Sequence, residues 1–398
     1  MRLQPVDGSD ARAVLRGLRG AVLGAGPAIV LGSAVGLPQE VPAGTAVVVT
    51  TSGSTGRPKS VAISRSALTA SALATADRIG AGAWLLALPA GYIAGVQVLV
   101  RALVTGREPA ILAGSFSAPA FAAAAGAMAS SEHGLRVPTY TSLVPAQLQT
   151  LLDAEDAGLA TGLSSFEAVL VGGQSLPPVL AERAAAAGVR VVRTYGSSET
   201  SGGCVYDGIP LDGVGIRIVG GEVQVSGPTL ADGYLGEPGR TDEAFVRDGG
   251  GIRWYRTGDA GSFDGVLRVT GRLDNVIISG GVNVSLDCVE QVVRALPGLT
   301  EAVVVPVSDE RWGEASVVAV AAELTAGEVD DLRQRVRDAV GAALGAPARP
   351  RGILALPKIP LLSSGKPDRR RLAAIAAQAA EEATRREGTA GGLQTPDE

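Results

Sequence analysis

From residue 10 to about residue 200 the chain alternates short Val/Ile-rich runs with Ala-rich stretches, and this limits its possible folds more than any other feature. The runs Ala46–Val49, Trp84–Leu88, Ala110–Ala113, Arg136–Tyr140, Ala168–Val171 and Val189–Thr194 are the length of strands. Between them Ser64–Arg78, Ala118–Ser130 and Val179–Ala187 are the length of helices. Continuous apolar runs need cover on both faces, which a mainly parallel sheet flanked by helices supplies. The prediction is an α/β fold. From Gly213 to Thr270 short strands punctuated by Gly, Asp and Pro predict an antiparallel β subdomain. After Gly271 a smaller α+β unit is expected, with strands at Val276–Ile278, Ala302–Val307 and Ser316–Leu324. Its helices are expected at Leu286–Leu296, at Glu328–Leu344 and from Asp368 onward. The expected boundaries are a large domain over 1–273 with its β subdomain at about 205–273, a small domain over 274–386, and a disordered tail over 387–398.

Composition then excludes chemistry. One histidine (His133) and two cysteines, Cys204 and Cys288, leave almost no material for Cys/His zinc sites, His-based triads or Cys–His nucleophile pairs. A net charge of −5 argues against nucleic acid or an anionic membrane as the main partner. The uncharged window Ile79–Val100 is long enough to span a bilayer, but Pro89–Gly91 divides it into a buried strand and a core helix entering Arg101. The window 109–131 is too weakly hydrophobic to insert, so no stable membrane insertion is expected. Without CxxC spacing or a signal-peptide core, a reducing cytoplasm is the expected location.

The chemistry concentrates in TSGSTGRPKS, residues 51–60, which follows the apolar run Val47–Val49. Glycines let backbone N–H groups approach an anion, and hydroxyls with Arg57 and Lys59 add donors, so the stretch is composed like a polyphosphate cradle. It is not a Walker A loop, because Pro58 stands where the second glycine belongs. Composition alone equally describes a flexible Ser/Thr/Gly surface turn.

The complete string resembles the phosphate loop of the acyl-adenylate-forming superfamily, and further motifs follow in that family's order. They are Gly172-Gly173-Gln174, Tyr195-Gly196-Ser197-Ser198-Glu199-Thr200, Tyr255-Arg256-Thr257-Gly258-Asp259, Gly271-Arg272-Leu273-Asp274, and Leu361 to Arg369 around Gly365-Lys366. The resemblance implies the fold: a large N-terminal domain and a small mobile C-terminal one. It implies that Thr51, Ser52, Gly53, Ser54, Thr55, Gly56, Lys59 and Ser198 hold ATP phosphates. Gly172, Gly173, Gln174, Tyr195 and Gly196 would seat adenine, and Asp259 the ribose hydroxyls. Lys366, Glu199 and Arg272 would be catalytic, with Glu199 holding Mg²⁺. Asp274 would be the hinge, and Gly280 and Gly281 would face the pantetheine of CoA. Read alone, Tyr195–Thr200 is also a Gly/Ser turn with Glu199 capping a helix, and Thr257–Asp259 is a common turn.

Within the superfamily, the segments Thr141–Leu148 and Leu88–Gly95, with Arg101 beyond, are similar to those of the o-succinylbenzoate–CoA ligases of menaquinone synthesis. Tyr92 and Ala94 depart from the histidine and serine usual there, and Thr50 stands so early that an abbreviated N-terminal subdomain is expected. The resemblance then implies an aromatic dicarboxylic acid contacted by Tyr92, Arg101 and Ser142, with ATP and CoA as co-substrates and Mg²⁺ as cofactor. A homodimer is allowed for. The alternatives are another acyl- or aryl-CoA ligase, or a free-standing adenylation enzyme, of the same superfamily. A non-catalytic adenylate-binding module is disfavoured by the presence of Lys366 and Glu199.

Overall fold

The computed structural model describes residues 1–24, 26–51, 59–128, 130–309, 312–362 and 366–390. Two compact units are present, Met1–Val269 and Thr270–Glu398. In the first, a seven-stranded sheet runs in the order Ile209–Pro210, Gly202–Tyr206, Val191–Ser197, Ala168–Val171, Thr139–Leu143, Ala83–Leu86, Ala110–Ile111. The strands from Val191–Ser197 to Ala110–Ile111 are parallel, and the other two turn back antiparallel. Strand Ala168–Val171 is buried at every position, as its unbroken apolar run requires. A second sheet joins Leu3–Val6, Ala28–Leu31, Thr45–Thr51, Lys59–Ser64 and Gly233–Tyr234, its first three strands parallel and its last two antiparallel.

Helix Arg65–Ile79 starts where the Ser64 hydroxyl accepts from the backbone N–H of Ala67 and stops at Gly80. It and helix Ile93–Val104 pack together, burying Leu68, Ala72, Leu99 and Val100 in the same core as Trp84 and Tyr140, whose rings stack at 5.2 Å. Arg101 therefore lies inside a buried helix. Among the described residues no helix is long and apolar enough to cross a membrane.

Two details differ from the pattern read in the sequence. The run Arg136–Tyr140 splits, because Pro138 lacks the N–H a ladder needs; Leu135–Arg136 closes a small hairpin with Ser131–Glu132, and the sheet strand starts at Thr139. His133 sits at the tip of that hairpin with φ 51°. The antiparallel sheet of Gly215–Val219, Glu222–Ser226, Arg253–Phe263 and Phe245–Arg247 begins at Gly215, whereas Gly202–Tyr206 and Ile209–Pro210 extend the seven-stranded sheet.

In the second unit the sheet order is Val282–Ser285, Val276–Ser279, Gly313–Ala321, Val303–Asp309, and Gly352–Leu356 pairs in parallel with Gly313–Ala321. Helix Ala326–Leu344 is opened by a capping box between Thr325 and Glu328. The closing helix runs Arg369–Ala390, four residues into the segment expected to be a tail; 391–398 lie outside the described residues.

Candidate active site

The carboxyl ends of Ala168–Val171 and Val191–Ser197 carry the predicted glycine and tyrosine motifs, where parallel sheets place ligand sites. Gly172 donates its N–H to the Leu143 carbonyl at 3.2 Å, and Gly173 has φ 83°. Gln174 follows them; Ser142 is buried in the adjoining strand Thr139–Leu143. Between Tyr195 and Gly196 the pairing with Gly202–Tyr206 shifts register. A Cβ at Gly196 would stand 2.1 Å from the Gly202 carbonyl oxygen, so only glycine lets the two backbones meet there. That shift turns the chain into a single 3₁₀ turn, Ser198–Thr200, in which Ser198 and Glu199 are buried.

Glu199, 6 % exposed, is held from an element far away in sequence. The Tyr234 hydroxyl donates to its Oε1 at 2.8 Å, and Lys59 Nζ lies 3.7 Å from the same oxygen. Lys59 also donates to the Tyr234 hydroxyl at 3.3 Å and sits 5.0 Å from the centre of its ring. This meeting follows from the sheet: Gly233–Tyr234 pairs with Lys59–Ser64, and Thr51 faces Lys59 across the next pair of strands. Burial, and then the Glu199 charge, push the Tyr234 phenol well above its ordinary pKa. Ser52, Gly53, Ser54, Thr55 and Gly56, expected in the same cradle, lie outside the described residues.

A second pair joins two motifs: the Tyr195 hydroxyl donates to Asp259 Oδ2 at 2.6 Å. Burial and then the Asp259 carboxylate raise the Tyr195 pKa. The turn carrying Asp259 is fixed by buried Glu222, which accepts from Gly258 N–H at 3.1 Å, from Arg256 Nε at 3.0 Å and from Gln224 Nε2 at 3.1 Å. Glu222 and Tyr234 were not among the residues singled out in the sequence. The only signal for either is that a buried carboxylate requires donors, without saying which.

Tyr92 is the N-cap of helix Ile93–Val104, half-buried. Two turns on, Arg101 is 5 % exposed. Its NH2 donates to the Tyr206 hydroxyl at 3.1 Å, its Cζ lies 4.9 Å from the centre of the Trp84 ring, and its Nε is buried without a partner among the described residues. Among the described residues no carboxylate pairs with it. An uncompensated buried cation is strongly unfavourable.

The remaining predicted residues lie in the second unit. Arg272 grips Asp274 through Nε at 3.0 Å and NH2 at 3.1 Å, while Asp287 accepts the Arg272 N–H at 2.7 Å and Asn275 Nδ2 at 2.8 Å. Gly280 and Gly281 form the turn between Val276–Ser279 and Val282–Ser285, with φ 57° and 80°, and a Cβ on Gly280 would meet the Trp312 ring at 2.5 Å. Lys366 is exposed; its carbonyl accepts from Leu362 N–H at 2.8 Å, and Leu361 bridges Pro367. Just beyond, Arg369 donates to the Val304 carbonyl at 2.9 Å and to buried Glu290 at 2.8 Å. Ser363, Ser364 and Gly365 lie outside the described residues.

A Lys–Tyr–Glu cluster and a Tyr–Asp pair near the carboxyl end of strand Val191–Ser197 bring together the charges and donors that a nucleotide site requires. Sequence profiles agree: the AMP-binding enzyme family matches residues 25–237, and the AMP-binding enzyme C-terminal domain matches residues 288–366. The chain belongs to the AMP-binding enzyme family. It is 37 % identical to a probable 2-succinylbenzoate–CoA ligase of Mycobacterium tuberculosis (strain CDC 1551 / Oshkosh), over 91 % of this chain and 94 % of that protein. A solved structure of an E. coli MenE variant with bound OSB-AMS is 27 % identical with a TM-score of 0.68, covering 86 % of this chain and 71 % of that one. The amide bond synthetase McbA of Marinactinospora thermotolerans is 26 % identical with a TM-score of 0.71, covering 94 % and 80 %. The fold, the AMP-forming ligase class and the nearness to the MenE enzymes are those the sequence motifs pointed to.

Proposed function

We propose that the chain is a 2-succinylbenzoate–CoA ligase, joining that dicarboxylic acid to CoA through an acyl-adenylate in the route to menaquinone. The observation that carries the choice of acid is Arg101, a buried guanidinium with no carboxylate among the described residues. A second carboxylate on the substrate would supply the missing charge, and guanidinium binds carboxylate through two parallel hydrogen bonds. An alkyl acid would leave the cation unpaired. Ser142 and Tyr92 are assigned to the same acyl pocket.

In the first half-reaction the substrate carboxylate attacks the α-phosphorus of ATP and pyrophosphate leaves. A carboxylate is already ionised at neutral pH, so no general base is needed, and the single histidine is no handicap. The barrier is crowding of negative charge, met by positioned cations and donors. Thr51, Ser52, Gly53, Ser54, Thr55, Gly56, Lys59, Ser198 and Lys366 are assigned to the phosphates. Gly172, Gly173, Gln174, Tyr195 and Gly196 are assigned to the adenine, Asp259 to the ribose and Arg272 to the ribose–phosphate. Glu199 fits a magnesium role: among the described residues both contacts of its carboxylate fall on Oε1, and Mg²⁺ is held by one or two carboxylates together with substrate phosphates. Bound there, the ion would neutralise phosphate charge. In the second half-reaction the thiolate of CoA attacks the mixed anhydride and AMP leaves, with Asp274 as hinge and Gly280–Gly281 toward the pantetheine.

Acid-dependent exchange of pyrophosphate into ATP, measured with 2-succinylbenzoate, benzoate and octanoate, tests the reading. Exchange is expected with 2-succinylbenzoate and is expected to fall on Arg101→Met. Exchange with octanoate but not 2-succinylbenzoate would overturn the substrate and leave the reaction class standing.

A further inference from the structure

Arg101 is oriented by a chain of hydrogen bonds whose direction can be worked out. Tyr206, 2 % exposed, ends strand Gly202–Tyr206, and its hydroxyl meets Thr75 of helix Arg65–Ile79 at 2.9 Å and Arg101 NH2 of helix Ile93–Val104 at 3.1 Å. Thr75 Oγ1 also donates to the Ser71 carbonyl at 2.8 Å. A threonine hydroxyl has one hydrogen. With that hydrogen on Ser71, Thr75 accepts from Tyr206, and a Tyr206 lone pair is left aimed at the guanidinium. The series therefore runs from Arg101 N–H to Tyr206 O–H to Thr75 O–H to the Ser71 carbonyl, a backbone atom of a buried helix. Trp84 covers the guanidinium face at 4.9 Å. One edge contact and one face contact define the plane of a rigid fork.

We infer that Tyr206, anchored through Thr75, is the positioning residue that sets the plane of the Arg101 guanidinium and with it the preference for an acid bearing a second carboxylate. The inference rests on the reading of Arg101 given above. Tyr206 pairs with Thr194 through its backbone, beside the tyrosine motif, but its hydroxyl meets only Thr75 and Arg101 among the described residues, so removing that oxygen acts through Arg101. Orientation matters because a planar fork misses one of two carboxylate oxygens when rotated. A merely structural role would instead weaken the enzyme toward every acid alike.

The test uses the full chain and the variants Tyr206→Phe, Thr75→Val and Arg101→Met in pyrophosphate exchange. The substrates are 2-succinylbenzoate and its two single-carboxylate analogues, 2-butanoylbenzoate and 4-oxo-4-phenylbutanoate. Tyr206→Phe keeps the ring that fills the core and removes only the oxygen. It is expected to raise KM for 2-succinylbenzoate about tenfold to a hundredfold, the range for losing a hydrogen bond to a charged group. Its kcat, its KM for ATP and its rate with the accepted analogue should stay within about twofold, because uniform-binding contacts alter KM alone. Thr75→Val, which leaves Tyr206 intact, should show the same selective rise at smaller size. If Arg101→Met lowers discrimination between the diacid and its analogue while Tyr206→Phe and Thr75→Val slow all acids equally or none, the positioning role is wrong and the Arg101 reading stands. If Arg101→Met leaves discrimination unchanged, the Arg101 reading fails and takes this inference with it.

Discussion

Tyr234→Phe isolates the crosspiece between the phosphate-loop lysine and the buried glutamate. Tyr234 is 5 % exposed, and its hydroxyl donates at 2.8 Å to a carboxylate that is itself buried. A hydrogen bond to a charged group is worth about 1.5–3 kcal/mol, and its loss leaves a buried carboxylate one donor short. Lys59 remains 3.7 Å from the same oxygen and still opposes its charge, which places the loss at the lower end. The expected cost is about 1.5–2 kcal/mol, roughly a tenfold to thirtyfold shift in the folding equilibrium. In urea denaturation the midpoint should fall with the slope unchanged, and Tm should drop by about 3–6 °C. An alkaline series adds a sign check. The Tyr234 pKa is raised in the folded state from 10.0, first by burial and then by Glu199, so its contribution is full below pH 10.0 and is lost as the pH rises further. The variant should therefore lose stability less steeply than the parent above that pH. Equal stability of variant and parent at pH 8, or parallel alkaline limbs, would refute the claim that this hydroxyl supports Glu199.

Two other perturbations address the assigned chemistry. Gly196→Ala should cost about 2–3 kcal/mol in urea denaturation, since its Cβ would meet the Gly202 carbonyl oxygen at 2.1 Å and Gly203 Cα at 2.8 Å, both backbone atoms; a loss below about 1 kcal/mol would mean that the strands can part there. Lys366→Ala should slow acid-dependent pyrophosphate exchange by roughly a hundredfold or more while sparing thioester formation from supplied acyl-adenylate, and equal loss in both partial reactions would withdraw the role given to Lys366.

What was legible in the sequence follows physical range. Strand Ala168–Val171 and helix Arg65–Ile79 were readable because an unbroken apolar run and an Ala-rich stretch of helix length are local signals. The tyrosine and aspartate motifs could be singled out because each is a short string, as could the phosphate loop, of which residues 52–58 lie outside the described residues. Tyr234 was not, since it reaches Glu199 across 35 positions through a two-residue edge strand that carries no periodicity. Tyr206 was hidden for a related reason: the reversal at Ser198–Thr200, closed by Ser201 with φ 55°, folds its strand back onto Val191–Ser197 of the large sheet rather than into the antiparallel one. The burial of Arg101 was only half visible, because a cation at the end of an apolar run reads equally as surface.

The anchoring around Lys366 has a mechanical consequence. The lysine is flanked by the Leu362–Lys366 backbone bond and the Leu361–Pro367 bridge, and three residues on Arg369 is fastened to Glu290 and the Val304 carbonyl. The described backbone on either side of the lysine is thus tied within the second unit. Lengthening the chain between Lys366 and Arg369 would therefore shift the lysine from the anchors that hold this stretch, even with every side chain retained.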